Sequence, residues 1–441
     1  MKTVINNNLI VRDLKHIWHP CAQMKDYEVF PPLAIKKAEG SYIELQNGKK
    51  LIDATSSWWC KALGHNHPRL KQALINQAHQ FEHVMFAHTT HENIVELSER
   101  LAKLIPSLSY VSYASDGSSA VESALKMSLH TRFITQQNKR TLFASLSNGY
   151  HGETCGALSM GDLGIYKKAY QSILLPVKFI SNIPYVSETK ERKWNDCKDI
   201  WPTIENQLDP LAEQLTAIIV EPIVQGPAGM MIYSQDFLRR LRQWSQNHDI
   251  HLIADEVFTG FGRTGVPLAC NHADITPDFL CLGKNLTGGW LPMSAMLTRT
   301  EIYEIFYDDY QKGKSFLHSH TFSGNSLAAA VALECLKVIE EEQIYAELPK
   351  LTSHLRNAMN QVAASTNQLT AVRGIGAIVA ADLINPADER MGFKVYQQAA
   401  KLGALLRPIG NTIYWTPPLN CSLQTIDELQ EITTQAIIQV R

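Results

Sequence analysis

Short apolar runs rich in β-branched residues alternate along this chain with longer stretches of helical period, and that alternation restricts the fold more than any other feature. Ala217 to Val220, Ile250 to Ala254 and Phe279 to Leu282 are such runs. Spaced between helical segments, they predict a mostly parallel sheet covered by helices, an α/β chain. One helix is expected from Ala120 to about Arg132, with Ser119 and Glu122 spaced as a capping box and Ala124, Leu125 and Leu129 forming an inward face. A second runs from Leu327 to Glu342, and strand-like pieces at Ile378 to Leu383 and Thr412 to Trp415 point to a smaller lobe beyond it. The charged stretch from Glu188 to Trp201 breaks the pattern and is expected to make a surface excursion.

The chain has 441 residues, 45% hydrophobic, more than one domain usually accommodates. Forty-one basic residues balance forty-three acidic ones, so no charge excess points to nucleic acid or an anionic membrane. A small-molecule partner is favoured. The stretch Met1 to Val11 lacks a signal-peptide core, and no run approaches the ~18 apolar residues of a membrane span. A cytosolic protein is expected. The eight cysteines are scattered without a CxxC pair and are read as reduced, small buried hydrophobes, Cys21 excepted.

The segment IHLIADEVFTGFGRTG ends an apolar strand at Asp255, where open α/β sheets place their ligands. A second strand, DFLCLGK, ends at Lys284. Alone, Asp255 reads as a helix cap and Lys284 as a solvated lysine. Together on strand ends they suit pyridoxal phosphate, whose ring nitrogen is kept protonated by an anion and whose aldehyde takes a lysine partner. Gly117 and Ser118 precede the Ala120 helix, where amides and a hydroxyl make an anion site, and Thr321 in HSHTFSGN offers a second hydroxyl. In SNGYHGET, Tyr150 is placed to lie against a planar ring or else to pack in the core, and His151 and Glu153 either orient the site or serve the structure.

These residues resemble the class III aminotransferases, over His16 to about Pro418. The DEVFTGFGRTG phrase and the strand ending at Lys284 carry the resemblance. HIWHP (16–20), SSWW (56–59), NHP (66–68), YHG (150–152), EPIVQG (221–226), CLGKNLTGG (281–289) and RPIGNTIYWTPP (407–418) are similar to the branch of that family serving biotin synthesis.

The resemblance implies a fold-type I enzyme with a seven-stranded, mostly parallel sheet. Residues 1–56 would join a small domain, 57–335 form the large cofactor-binding domain, and 336–441 complete the small α/β domain. A homodimer would share its active sites, Thr321 reaching the neighbour's phosphate. The implied reaction moves an amino group from S-adenosylmethionine to 8-amino-7-oxononanoate by a ping-pong route. Carried over residue by residue, Gly117 and Ser118 hold the cofactor's phosphate, Tyr150 stacks on its ring, Asp255 meets its nitrogen and Lys284 holds its aldehyde. Trp58, Trp59, Cys21, Gly152, Glu153, Ser319, Arg407 and Tyr414 belong to the substrate side; Arg407 would clasp a carboxylate. Arg263 matches a family position without an assigned task. Two positions depart from the pattern: Cys21 replaces a tyrosine, and Glu153 an aspartate. Two other readings stay open, a class III enzyme acting on an ω-amino acid or diamine with a keto acid, and a non-catalytic protein that binds the cofactor.

Overall fold

The computed structural model describes residues 8–384 and 388–440. Its centre is a seven-stranded sheet in the order Tyr110–Ala114, Ser294–Thr298, Phe279–Leu282, His251–Asp255, Leu215–Val220, Leu142–Leu146, Val177–Ile180. Only Ser294–Thr298 runs against its neighbours. Both faces are buried, which explains strands that are apolar throughout. Ala217, Ile219, Ile253, Phe279 and Cys281 meet the helix Gly117–Ile134 on one face, while Ile218, Val220, Leu252, Ala254, Leu280 and Leu282 meet Phe237 and Leu241 on the other.

A second core gathers the ends of the chain. Strands Ile35–Glu39, Tyr42–Leu45 and Lys50–Asp53 are completed by Ala404–Leu405, which pairs in parallel with Lys50–Asp53. Leu369–Ile375, Ile378–Leu383 and Thr412–Trp415 form another sheet, packed against the long helix Ile344–Thr366. The helix Ser326–Glu341 serves both cores, with Ala329 and Ala332 turned to one and Val331, Cys335 and Val338 to the other. Among the described residues, no helix is long and apolar enough to cross a membrane.

Several local expectations need correction. The helix expected at Ala120 starts at Gly117 because Asp116 caps it, accepting from the Ser119 amide at 3.0 Å. Glu122 therefore takes no part in a capping box; it accepts from the Gly156 and Ala157 amides at the start of the neighbouring helix Cys155–Met160. Leu129 is 39% exposed and does not face the core. The stretch from Glu188 to Trp201 is anchored rather than superficial: Trp194, Cys197 and Trp201 are buried, and Asp236 accepts from the Cys197 amide at 3.0 Å. Their spacing of three and four residues was the overlooked sign. Five cysteines are buried and Cys60 is half-buried, but Cys155 joins Cys21 at the surface; all are free thiols.

A buried ion cluster registers the two strands on which the site depends. Asp278 lies just before Phe279–Leu282, accepts from the Leu252 amide at 2.8 Å, and is held by Arg242 at 2.6 Å and Arg299 at 3.0 Å. Burial opposes its charge, but the Arg242 guanidinium and that amide hold its carboxyl below the usual range. The stabilisation is therefore present above the ordinary aspartate value of about 3.9 and fades as pH falls through the depressed folded value. Replacing Asp278 by Ala strands Arg242, and we expect a loss of about 3–5 kcal/mol at neutral pH in urea unfolding. An unchanged midpoint would contradict this role.

Candidate active site

Asp255 ends the strand His251–Asp255 and pairs with Cys281 on the adjacent parallel strand, three residues before Lys284. The register thus brings a carboxylate and an amine to one cavity of about 460 Å³, a size suited to a small ligand. Lys284 has φ +43, a left-handed conformation that side chains seldom adopt, directly after an extended Gly283. Its Nζ lies 4.8 Å from the Trp59 ring centroid and 5.8 Å from that of Phe258. Burial pushes its ammonium below lysine's ordinary range, and the charges of Asp255 and Glu221 restore part of the loss.

Asp255 is fixed by two donors. His151, itself buried, donates from Nδ1 to Oδ2 at 2.8 Å, and the Val257 amide donates to Oδ1 at 3.1 Å. Contact with a carboxylate requires the proton of His151 on Nδ1, so this histidine has an orienting geometry. Glu256, the next residue, points away into the core, accepting from the Ala269 and Cys270 amides; burial pushes its carboxyl up to about 7.

The amino end of Gly117–Ile134 opens on the same cavity, where free amides and the Ser118 hydroxyl form an anion cradle. Two glycines make the approach possible. A Cβ on Gly117 would lie 2.6 Å from Val257 Cγ1, and one on Gly152, at φ +123, would lie 2.1 Å from Ser118 Oγ. An acidic group at one strand end, an amine at the next and an anion cradle opposite are the donor set for pyridoxal phosphate, so the residues fit it.

Tyr150 lines the cavity, its amide donating to Glu221 Oε1 at 2.9 Å and its hydroxyl to Glu153 Oε1 at 3.0 Å. Glu221 is the residue that sequence reasoning left without a role. It follows the apolar strand Leu215–Val220 as Asp255 ends its own, which was the available signal. It also accepts from the Gly226 amide at 3.0 Å, while burial and the nearby Asp255 push its carboxyl up to about 8.

The substrate-side residues surround this cavity without all lining it. Cys21 and Arg407 line a second cavity of about 630 Å³. The two are linked by contacts: Cys21 Sγ donates to Glu153 at 3.8 Å, and Arg407 donates to the Cys21 carbonyl at 3.1 Å while its guanidinium lies 4.3 Å from the Trp58 ring centroid. Trp59 lines the first cavity and donates from Nε1 to the Tyr414 hydroxyl at 3.1 Å. Ser56, Ser57, Trp58 and Trp59 carry φ values of +48, +46, +71 and +73, a single left-handed turn. Each such residue costs about 1–2 kcal/mol.

Two expected site residues are not brought in. Ser319 and Thr321 are exposed and line neither cavity of this chain; the Thr321 carbonyl accepts from His83 Nε2 at 2.8 Å. Arg263 is fully buried outside the cavities and donates to the carbonyls of Ala377 and Pro417 at 3.2 and 2.6 Å, tying the Gly-rich turn to the second core. Burial lowers it to about 10.

A profile of the family described as Aminotransferase class-III matches residues 23–437. The chain is 40% identical to the adenosylmethionine-8-amino-7-oxononanoate aminotransferase of Helicobacter pylori, over 93% of each chain. It is 34% identical to the protein of that name from Geobacter sulfurreducens, over 95% of this chain and 94% of the other. Among solved structures, that of the Methanocaldococcus jannaschii adenosylmethionine-8-amino-7-oxononanoate aminotransferase superposes with a TM-score of 0.90 at 31% identity, covering 98% of both chains. The omega transaminase of Pseudomonas jessenii in complex with PMP does so with a TM-score of 0.90 at 27% identity, also covering 98% of both. The fold, the strand-end pair and these likenesses agree: the chain belongs to the class III aminotransferases.

Proposed function

We propose that this aminotransferase transfers an amino group from S-adenosylmethionine to 8-amino-7-oxononanoate, giving 7,8-diaminononanoate. The observation that carries the reading is a chain of contacts between residues of the two cavities: Tyr150, in the Asp255 and Lys284 cavity, donates to Glu153, which accepts from Cys21, in the Arg407 cavity, and Arg407 lies over Trp58, next to Trp59. A long oxo acid has its reacting carbon far from its carboxylate, and this arrangement offers an amine at one end and a guanidinium at the other. The names of the similar proteins support the same substrates.

Pyridoxal phosphate, the cofactor of this family, supplies when bound an aldehyde that exchanges amino groups and a protonated ring that disperses the electrons left by a departing proton. Asp255, oriented by His151, is the anion that keeps a proton on the ring nitrogen. Lys284 Nζ, its ammonium pushed by burial below lysine's ordinary range, would hold the aldehyde and would serve as the base for the substrate's α-proton. Gly117 and Ser118 would hold the phosphate, and Tyr150, lining the same cavity, would flank the ring. Trp58, Trp59 and Tyr414 exclude water along the aliphatic chain, Gly152 and Glu153 border it, and Arg407 takes the carboxylate as a bidentate pair.

The working unit in this reading is a homodimer. Tyr310 is 88%, Leu317 91% and Phe322 59% exposed on the segment that carries Ser319 and Thr321. So much open apolar surface beside a hydroxyl expected at a phosphate is explained by a second copy covering it. The large lobe is 57–335, with 1–56 and 336–441 sharing the small one, a division supported by the pairing of Lys50–Asp53 with Ala404–Leu405. We place the enzyme in the cytoplasm.

Incubating the loaded enzyme with 8-amino-7-oxononanoate and either S-adenosylmethionine or lysine is expected to yield the diamine, identified by mass, with the first donor. No diamine with either would overturn the substrate assignment. Cys21→Tyr restores a phenol beside Glu153 and is expected to change KM or kcat several-fold while leaving the unfolding midpoint within the usual surface-substitution range of about 0.5 kcal/mol. Unchanged kinetics with both substrates would remove Cys21 from the substrate path.

A further inference from the structure

The left-handed turn at 56–59 places its last two side chains under two different cations. Trp58 lies beneath the Arg407 guanidinium, and Trp59 beneath the Lys284 amine. A backbone conformation disfavoured at four successive non-glycine residues persists only where its surroundings impose it. Here the surroundings converge on Asp53, which is 1% exposed.

Asp53 Oδ2 accepts from Ser57 Oγ at 2.7 Å and from His65 Nε2 at 2.8 Å, and Oδ1 accepts from the Thr55 amide at 3.3 Å. Burial opposes its charge, yet His65 and Ser57 hold the carboxyl below its usual range. His65 is itself fixed, because its amide donates to the Gly40 carbonyl at 2.7 Å and its carbonyl accepts from the Gly40 amide at 3.0 Å. The far side is held by Ser56 Oγ donating to the Thr416 carbonyl at 2.6 Å, and by Trp59 Nε1 donating to Tyr414. The turn is thus braced between a carboxylate hub and the strand Thr412–Trp415, which follows Arg407 in the chain.

We infer that Asp53 and Ser57 are positioning residues that fix the separation between Lys284 and Arg407, and so the length of acid the enzyme accepts. One rigid turn touches both ends of the substrate path, and a shift of its backbone moves the two indoles together. The inference deepens the reading above, since it takes Arg407 as the carboxylate partner. The substrate class it selects is an aliphatic monocarboxylic acid of one length.

The test uses the pyridoxal-phosphate-loaded enzyme and straight-chain monocarboxylates of six to twelve carbons, with binding measured by titration calorimetry. The wild type is expected to bind one length about tenfold more tightly than acids two carbons shorter or longer, since two methylenes carry about that factor. Asp53→Asn and Ser57→Ala should flatten that preference to under about threefold, while the cofactor absorbance and its borohydride-reducible attachment stay unchanged. A merely structural role would lower cofactor content and melting temperature without altering the ratio between lengths. A flat wild-type series, or variants that keep the wild-type ratio, would overturn the inference. Should Asp53→Asn fold poorly, Ser57→Ala decides alone. Binding is read without turnover, so a wild type that forms no diamine would sink the proposed reaction and leave this result standing on its own.

Discussion

Everything at the site follows from one register: two neighbouring parallel strands aligned so that Asp255 faces Cys281, leaving Lys284 one short turn further on. Asp278 and Arg242 enforce that register at the other end of the strands, inside the core. Sliding either strand by one residue would exchange its two buried faces and carry the carboxylate away from the amine. The buried ion cluster is therefore remote from the cavity yet connected to it through two stiff strands. The amine gains its chemistry from the same burial, because an ammonium kept away from water is more easily neutralised.

Some of the strained backbone lies where chemistry is expected. Lys284, Cys21, Arg407 and the whole 56–59 turn have positive φ without being glycine. Strain of this kind is sustained by the rest of the structure, here by Asp53, Thr416 and Tyr414, and it holds side chains at angles that regular helices and strands do not offer. The two glycines at 117 and 152 do the opposite work, letting Ser118 and the helix amino end approach closely without a Cβ in the way.

Much of this was legible in the residues, for reasons that differ element by element. The strands at 217–220, 250–254 and 279–282 were readable because both faces are buried and the apolar runs are unbroken. Asp255 and Lys284 stood out as the polar residues ending such runs. Glu221 carries the same signal, directly after the run Leu215–Val220. The Gly117 helix began earlier than its apolar period suggests because a cap is decided by one side chain, Asp116, and periodicity is silent on it. The turn at 56–59 was beyond reach: nothing in Ser-Ser-Trp-Trp announces left-handed backbone, which arises from contacts with residues as distant as Thr416. For Thr321 the single chain gives only an exposed hydroxyl, and the phosphate role proposed for it requires a second copy.

The central claim is that Lys284, opposite Asp255, is the residue to which the cofactor attaches. The direct measurement is to load the purified protein with pyridoxal phosphate, reduce it with borohydride, digest it and locate the phosphopyridoxyl group by mass. The account predicts one modified lysine, at position 284. A reduced label on any other lysine, or no label at all, would contradict it.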